Sequence, residues 1–240
     1  MVFDDQGIKS LGIQYFKKIF VDDHMTNIVT QLKVIRIFPS FICPEEKDTF
    51  TGSVTLSKVE AALKTFKKDK SPGPDGWPVE FYLAFCDLLG PDLVNLVETS
   101  RRLGRVVPSL NSTFIALIPK KYLLVSFADF RPLSLCNLVY KLISKVAALR
   151  LKPFLDKSIS PQQFVFLKNR QIIEPLAITQ EVLHTVKTKN RCALILKLDL
   201  TKAFDSVNWT FSQLILIQIG VPLVGVNWIL GCISSANFSM

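Results

Sequence analysis

The spacing of apolar residues along the chain alternates between a helical period and a strand period. The helical period predicts helices over residues 8–20, 79–89, 92–103, 137–151 and 171–187, together with one that opens at Ser57. Alternation of apolar and polar residues predicts strands over 113–118 and 192–200. Residues 21–55 follow neither period, and Pro39 and Pro44 interrupt them. The elements together favour a mixed α/β fold in which helices dominate.

Short signals set the ends of these elements. Ser57 and Glu60 form a capping box, which marks a helix N-terminus. Gly90-Pro91 divides the next two helices, and Pro153 ends the helix that begins near Asn137. The segment SPGPDGWP at 71–78 holds three prolines and two glycines, so it predicts a rigid, shaped loop.

The strand at 192–200 carries the first candidate for chemistry. Leu194, Leu196 and Leu198 point to one face, toward a core, whereas Asp199 points to the other. An acidic side chain at the end of a buried strand lies where α/β folds bind ligands and metals. An Asp in this place also commonly caps the following turn, so a structural role stays open. The expected core comprises Leu63, Phe66, Phe81, Ile115, Leu117, Leu142, Val146, Leu196 and Leu198.

Composition narrows the class of partner. Hydrophobic residues make up 49% of the 240 residues, which excludes a disordered chain. A net charge of +9 favours a polyanion such as nucleic acid, although an anionic membrane surface also fits. The five cysteines are widely spaced and there are two histidines, so zinc-ligand spacing is absent and a Ser-His-Asp triad is poorly supported. With reduced thiols and no signal peptide, we expect an intracellular protein, nuclear or cytoplasmic.

The C-terminal region has an unusual pattern, because residues 206–240 contain no charged residue. Its apolar stretch at 214–233 is long enough to span a bilayer. Pro222 and three glycines interrupt that stretch, and both residue types weaken a single helix. We therefore favour a pair of buried helices over a membrane span.

Five segments carry a more specific signal than any period. They are KDKSPGPDGWPVEFY (68–82), NSTFIALIPK (111–120), DFRPLSLCNLVYKLISKVAALRLKPFL (129–155), ISPQQFVFLKNRQI (159–172) and LILKLDLTKAFDSVNW (194–209). In this order and spacing they resemble the reverse transcriptase of non-LTR retrotransposons, the long interspersed nuclear element type, particularly those common in plant genomes. The resemblance implies an N-terminal extension at 1–55, helical fingers at 56–190, and the first strand and helices of an incomplete palm at 191–240 of a right-hand polymerase.

The resemblance also implies a chemistry, the extension of a DNA primer on an RNA template with deoxynucleotides. Asp199 matches the first metal-binding aspartate, and the backbone carbonyl of Leu200 would be a further ligand. Mg²⁺ is the expected ion because it takes carboxylate and phosphate oxygens. Phe204 matches the aromatic residue under the incoming sugar, while Asp205 is expected to be structural.

Basic residues of the fingers match positions that contact phosphates. Lys120 and Arg131 match residues near the incoming triphosphate, which suits Lys as a point charge and Arg as a fork. A surface salt bridge is the alternative role for each. Arg170 matches a position that faces template or primer. One helix face carries three lysines, Lys141, Lys145 and Lys152. This face would either contact a phosphate backbone or only face water.

The sequence departs from the family pattern in one major respect. The Gly-rich second palm segment and the Phe/Tyr-x-Asp-Asp hairpin do not follow Asp199, so we expect no polymerase activity from this chain alone. Phe20-Val-Asp-Asp23 spells the tetrapeptide, but it precedes the fingers and we interpret it as accidental. The sequence predicts a polymerase fragment. A nucleic-acid-binding remnant without catalysis and a non-functional product of a decayed element remain as alternatives.

Overall fold

The structure is a computed structural model, which describes residues 4–20, 27–164, 167, 170–171, 173–199 and 207–239. The chain divides into two compact units. The first unit joins Met1–Arg150 with Asp205–Met240, and the second is Leu151–Phe204. The first unit is therefore built from two separate stretches of sequence.

Helices dominate the described residues, as the apolar spacing predicts. They are α1 (Asp5–Phe20), α2 (Ile28–Ile35), α3 (Asp48–Thr51), α4 (Leu56–Leu63), α5 (Val79–Ala84), α6 (Cys86–Leu103), α7 (Leu138–Ser158), α8 (Ile173–Thr188), α9 (Trp209–Gln218) and α10 (Leu223–Ser234). Two short 3₁₀ turns, Pro44–Lys47 and Phe127–Asp129, precede α3 and the second strand. The predicted mixed α/β class with a helical majority is confirmed.

The core of the first unit forms where α4, α6, α7 and α10 meet. Helical spacing brings Val59, Ala62 and Leu63 of α4 to one buried face, against Leu142 and Ile143 of α7. Full burial of each large aliphatic side chain contributes about 1.5–3 kcal/mol. Of the predicted core residues, four are buried (Leu63, Ile115, Leu142 and Val146) and three are half-buried (Phe66, Phe81 and Leu117).

A buried arginine near the middle of α7 ties distant segments of the first unit together. The Arg150 guanidinium donates to the carbonyl oxygens of Phe50, at 2.8 Å, and Ser53, at 3.3 Å. It also lies 5.4 Å from the ring centroid of Trp228 in α10. Burial lowers the pKa of Arg150 from its ordinary value, and the two carbonyls satisfy part of its donor capacity.

Three segments begin or end elsewhere than predicted. Helix α4 begins at Leu56 because the N–H groups of Lys58 and Val59 already bond to the Thr55 carbonyl, so Ser57 lies in the first turn and the predicted capping box is wrong. Helices α5 and α6 are divided at Phe85 and not at Gly90-Pro91. Pro91 removes one backbone hydrogen bond, yet the helix continues through it, and the buried Gly90 lies against Leu56 of α4.

The region predicted to be irregular, 21–55, contains helices α2 and α3 in its described part. The Asn27 side chain caps α2 by accepting from the Val29 N–H at 2.9 Å. Helix α2 packs on α9, and α3 packs on α10 with Phe50 almost fully buried. These helices are too short to form alone, and distant contacts of this kind are not visible in a local pattern.

A three-stranded sheet of order β2-β1-β3 completes the first unit. Strand β1 (Ser112–Pro119) confirms the predicted strand at 113–118 and pairs antiparallel with β2 (Phe130–Cys136). Strand β3 (Asn237–Ser239) pairs parallel with β1, so that Thr113 lies beside Phe238. On β1, Thr113 and Ile115 are buried while Phe114 and Ile118 are exposed, which gives the hairpin one inner and one outer face.

Helix α7 continues past its predicted end. It runs to Ser158 with Pro153 inside it, although the sequence predicts an end before this proline. Pro153 is exposed and so is Leu149, whose carbonyl loses its helical N–H partner to the proline. An exposed carbonyl can bond to water, so the cost of continuing the helix is reduced. Helix α8 confirms the predicted helix at 171–187 within two residues.

The predicted strand at 192–200 is wrong for its described part, because residues 192–199 take no regular secondary structure. Leu194, Leu196 and Leu198, expected in the core, are 94%, 76% and 78% exposed. A strand exists only when a neighbouring strand accepts and donates its backbone hydrogen bonds. Within the described residues no strand pairs with this segment.

The uncharged C-terminal region folds as the predicted pair of helices, α9 and α10. A turn at Ile219 and Gly220 separates them, and Trp228 of α10 is buried with its indole N–H donating to Ser100 Oγ at 3.2 Å. No helix among the residues that the structure describes is long and apolar enough to cross a membrane.

Candidate functional site

The end of the β1/β2 hairpin carries two of the predicted phosphate contacts. The register sets Ile118 opposite Arg131, and the Lys120 N–H donates to the Asp129 carbonyl at 2.8 Å. Because side chains two residues apart share a face of a strand, Lys120 and Arg131 are diagonal neighbours on the same face. Both are exposed, and diagonal neighbours are close enough for long side chains to contact one ligand.

In the loop joining these strands, the one acidic side chain is paired with a lysine of the same loop. Lys121 Nζ lies 2.8 Å from Asp129 Oδ1, and Asp129 Oδ2 accepts the N–H groups of Val125 and Ser126 at 2.9 and 3.0 Å. The Lys121 ammonium and then these backbone donors lower the pKa of Asp129 to about 2. Lys120 Nζ donates to the Ala128 carbonyl at 2.7 Å, a neutral partner.

Neither predicted triphosphate contact pairs with a carboxylate among the described residues. Among the described residues, ion pairs form between Lys64 and Glu60, between Arg101 and Glu98, and between Lys121 and Asp129. Lys120 and Arg131 are absent from these pairs, so the alternative role of a surface salt bridge finds no partner in this part of the chain. Both remain available to an anion.

The loop at 71–76, which is part of the segment 71–78 predicted to be rigid, is pinned to the start of α7. The Asn137 side chain, 6% exposed, accepts the Asp75 N–H at 3.1 Å. Gly73 approaches so closely that a Cβ there would lie 2.4 Å from the Asn137 backbone N. Gly76 has φ +75° and donates its N–H to the Gly73 carbonyl at 3.0 Å. Only glycine adopts these two positions without strain.

A small cleft of about 130 Å³ opens between this loop and the first turn of α7. Its lining combines cationic, aromatic and aliphatic side chains, including Phe66, Lys67, Lys70, Trp77, Leu138 and Lys141. The predictions from sequence included Lys141 but missed Lys67, Lys70, Trp77 and the pinning role of Asn137.

The three lysines of the predicted stripe on α7 are half-buried and not fully solvated: Lys141, Lys145 and Lys152. The helix is continuous through all three positions. Lys145 Nζ lies 5.9 Å from the ring centroid of Phe66, which is a cation–π distance. Their role as a track for a phosphate backbone stays a prediction.

Arg170 has a structural role that the sequence did not indicate. Its guanidinium donates to the carbonyl oxygens of Ser160 at 2.5 Å, Gln163 at 2.6 Å and Ile159 at 2.8 Å. These bonds close the turn that follows α7 in the second unit. A contact with template or primer stays a prediction, and it would have to compete with these three acceptors.

The predicted metal ligand Asp199 is exposed at the end of the irregular segment 192–199. Leu200, Phe204 and Asp205 lie outside the described residues, as do Val21–Asp23 of the accidental tetrapeptide. In the described part of the chain, no group of three or more His, Cys, Asp or Glu side chains is placed to hold a metal ion. Among the described residues, Asp199 is therefore not part of such a group.

Comparison with known proteins decides the family. The model of the reverse transcriptase (RNA-dependent DNA polymerase) family matches residues 118–239, just over half of the chain. The chain belongs to the reverse transcriptase family. A Xenopus laevis protein described as "Transposon TX1 uncharacterized 149 kDa protein" is 32% identical over 167 residues, which cover 70% of this chain and 13% of the relative. The prediction of a reverse transcriptase domain from a non-LTR retrotransposon is confirmed.

The reverse transcriptase match covers only part of the features described above. It includes Arg131, Lys120, α7 and Asp199, and it begins after the loop at 71–76. The cleft beside that loop thus takes most of its lining from residues that precede the matched segment.

Proposed function

We propose that this chain provides the nucleotide-binding fingers for RNA-directed DNA synthesis, with an RNA template, a DNA primer and deoxynucleoside triphosphates as substrates. The observation that carries the proposal is the pairing of Lys120 and Arg131 on one exposed face of the hairpin end, without a carboxylate partner in the described residues. Two cations of different geometry on one face suit a flexible polyanion such as a triphosphate.

Each side chain has a distinct part in this binding. The Lys120 ammonium exchanges the neutral Ala128 carbonyl for an anionic phosphate oxygen, which adds a charge–charge attraction that the carbonyl does not provide. Arg131 offers a planar fork that bonds two oxygens of one phosphate. The salt bridge between Lys121 and Asp129 keeps the loop folded and leaves the charges of Lys120 and Arg131 unpaired with Asp129.

Asp199 is proposed as one carboxylate ligand of the divalent metal that reverse transcriptases use. Its exposure supports access to an ion, and Mg²⁺ prefers carboxylate oxygens. Because the described residues contain no group of three or more such ligands, binding of Mg²⁺ by this chain alone is expected to be weak.

Nucleotide binding tests the role of the hairpin. The chain is titrated into a fluorescently labelled deoxynucleoside triphosphate, and the Kd is compared among variants. Lys120→Gln and Arg131→Gln each weaken binding about 10-fold or more, because each removes a charged hydrogen bond. Lys58→Gln, at an exposed site on α4, removes the same charge and leaves the Kd nearly unchanged. Equal affinity in all variants would refute the proposal.

Primer extension on an RNA template with Mg²⁺ tests the role of Asp199. Any synthesis by the chain should disappear in Asp199→Ala, since a metal ligand is lost. Synthesis that persists in this variant assigns the metal to other residues.

Nucleic-acid binding without catalysis is a second candidate function. It is supported by the basic character of the chain, whose net charge is +9. It predicts an affinity for nucleic acid that falls steeply with salt and does not change in Asp199→Ala.

A further inference from the structure

The cleft between the loop at 71–76 and the first turn of α7 collects cations from three places in the sequence. Lys67 follows α4, Lys70 precedes the loop, and Lys141 lies one turn into α7. None of the three forms an ion pair among the described residues, in contrast to Lys64, which pairs with Glu60 at 3.8 Å. No carboxylate is among the described residues that line the cleft. An unneutralised group of this kind attracts an anion.

An aromatic ring borders the same cleft. Trp77 is 48% exposed, although large aromatic side chains are usually mostly buried. Its indole stacks on Phe81 with 4.1 Å between ring centroids and 30° between ring planes. Phe81 therefore supports the ring from one side and leaves part of it accessible. A supported, exposed indole is a surface on which a nucleobase stacks.

The backbone around the cleft is already fixed. Asn137 holds the Asp75 N–H, Asp75 Oδ1 accepts the Trp77 N–H at 3.2 Å, and Gly73 packs directly on the start of α7. Trp77 and Lys141 are thus positioned before any ligand arrives, which reduces the entropy lost on binding.

We propose that this cleft binds a single-stranded polynucleotide, with a phosphodiester among Lys67, Lys70 and Lys141 and a neighbouring base stacked on Trp77. The inference deepens the proposed function, on which it rests, by giving the fingers a contact with a nucleic-acid strand separate from the nucleotide contact at the hairpin end. RNA and DNA share the phosphodiester and the base face, so both are ligands of the cleft.

Fluorescence anisotropy of a labelled oligonucleotide tests this assignment, with single-stranded RNA and DNA of about 12 nucleotides as probes. The triple variant Lys67→Gln/Lys70→Gln/Lys141→Gln is compared with Lys9→Gln/Lys17→Gln/Lys58→Gln, which removes the same charge at exposed positions outside the cleft. The cleft variant should bind about 10-fold more weakly than the control variant. Its dependence of log Kd on log salt should also become shallower by about 0.7 for each phosphate that the lysines no longer neutralise.

The variant Trp77→Ala separates the contribution of stacking to oligonucleotide affinity from the contribution of charge. It should weaken binding about 10-fold while leaving the salt dependence unchanged, and Trp77→Phe should recover most of the affinity. Thermal unfolding of each variant checks that the chain is still folded. Equal binding by the two triple variants, or an unchanged Kd in Trp77→Ala, would overturn the proposal. Displacement of the oligonucleotide by equimolar inorganic phosphate would also overturn it, since the cleft would then bind only a free anion.

The experiments distinguish a failure of the cleft proposal from a failure of the hairpin proposal. Loss of oligonucleotide binding in the cleft variants with normal triphosphate binding supports both. Normal oligonucleotide binding in those variants removes the cleft and leaves the hairpin role intact. Triphosphate binding that ignores Lys120 and Arg131 removes the hairpin role, even where the cleft variants lose the oligonucleotide.

Discussion

The loop at 71–76 and the segment at 192–199 both resemble reverse transcriptase motifs, yet they differ in what holds them. The loop lacks regular structure and is fixed by Asn137 and by the close approach of Gly73. The segment has the clearest strand pattern in the sequence and is exposed, without a paired strand in the described residues. Alternation says which face of a strand would be buried, but only a neighbouring strand makes the strand form.

The prediction with the largest expected effect on stability substitutes one leucine in the helix under the loop and one in the segment at 192–199. Leu142, in the helix on which the loop rests, is fully buried, whereas Leu196 is 76% exposed. Leu142→Ala should lower the free energy of unfolding by about 3 kcal/mol, and Leu196→Ala should change it by less than about 0.5 kcal/mol. Urea unfolding followed by circular dichroism measures both. A decrease above about 1 kcal/mol in Leu196→Ala would mean that the segment is packed in solution, and the comparison would break.

The next test lies within the loop. In Gly73→Ala the new Cβ meets the Asn137 and Cys136 backbone, so we expect a decrease of about 2 kcal/mol in the free energy of unfolding. Gly76→Ala has open space but a positive φ, so about 1 kcal/mol is expected. The same urea experiment ranks the two. The reverse order would show that backbone conformation, and not contact with α7, fixes the loop.

The smallest effect concerns the β1/β2 loop, which is pinned by charge. The pKa of Asp129 is lowered from its ordinary value of 3.8 to about 2, so folding favours the ionised carboxylate. Its contribution to stability is complete above pH 3.8 and is lost as the pH falls through about 2. Asp129→Asn should therefore be slightly less stable than the native chain at neutral pH, and the difference should fade in acid. Asp92→Asn, at an exposed position, controls for the lost charge, and a constant difference at all pH values would contradict the assignment.

Much of the fold follows from local pattern. The helical period locates α4, α6, α7 and α8, and alternation locates β1. The ends are less predictable because tertiary packing decides them: Pro91 and Pro153 both lie inside helices that continue around them. The short helices between residues 27 and 51 depend on α9 and α10, which no local window contains.

The site divides in the same way. Lys120, Arg131 and Asp199 were predicted by family resemblance, and the register of the hairpin explains how the first two come together. Asn137 could not be predicted, since its bond to Asp75 spans 62 positions. The exposure of Trp77 is likewise a property of packing. Trp77 lies in one cleft with Lys67, Lys70 and Lys141 only because the loop is folded onto α7.

The parallel pairing of β3 with β1 has a consequence for synthesis of the polypeptide. Strand β1 leaves the ribosome long before Phe238, its neighbour at Thr113, has been translated. At about 5–20 residues per second, the wait is on the order of ten seconds. During that time α6 and α7 also lack Trp228, the largest fully buried side chain of the described core. The nascent chain therefore exposes an open strand edge and an unfilled core until α10 and β3 have been translated, and surfaces of this kind are prone to aggregation.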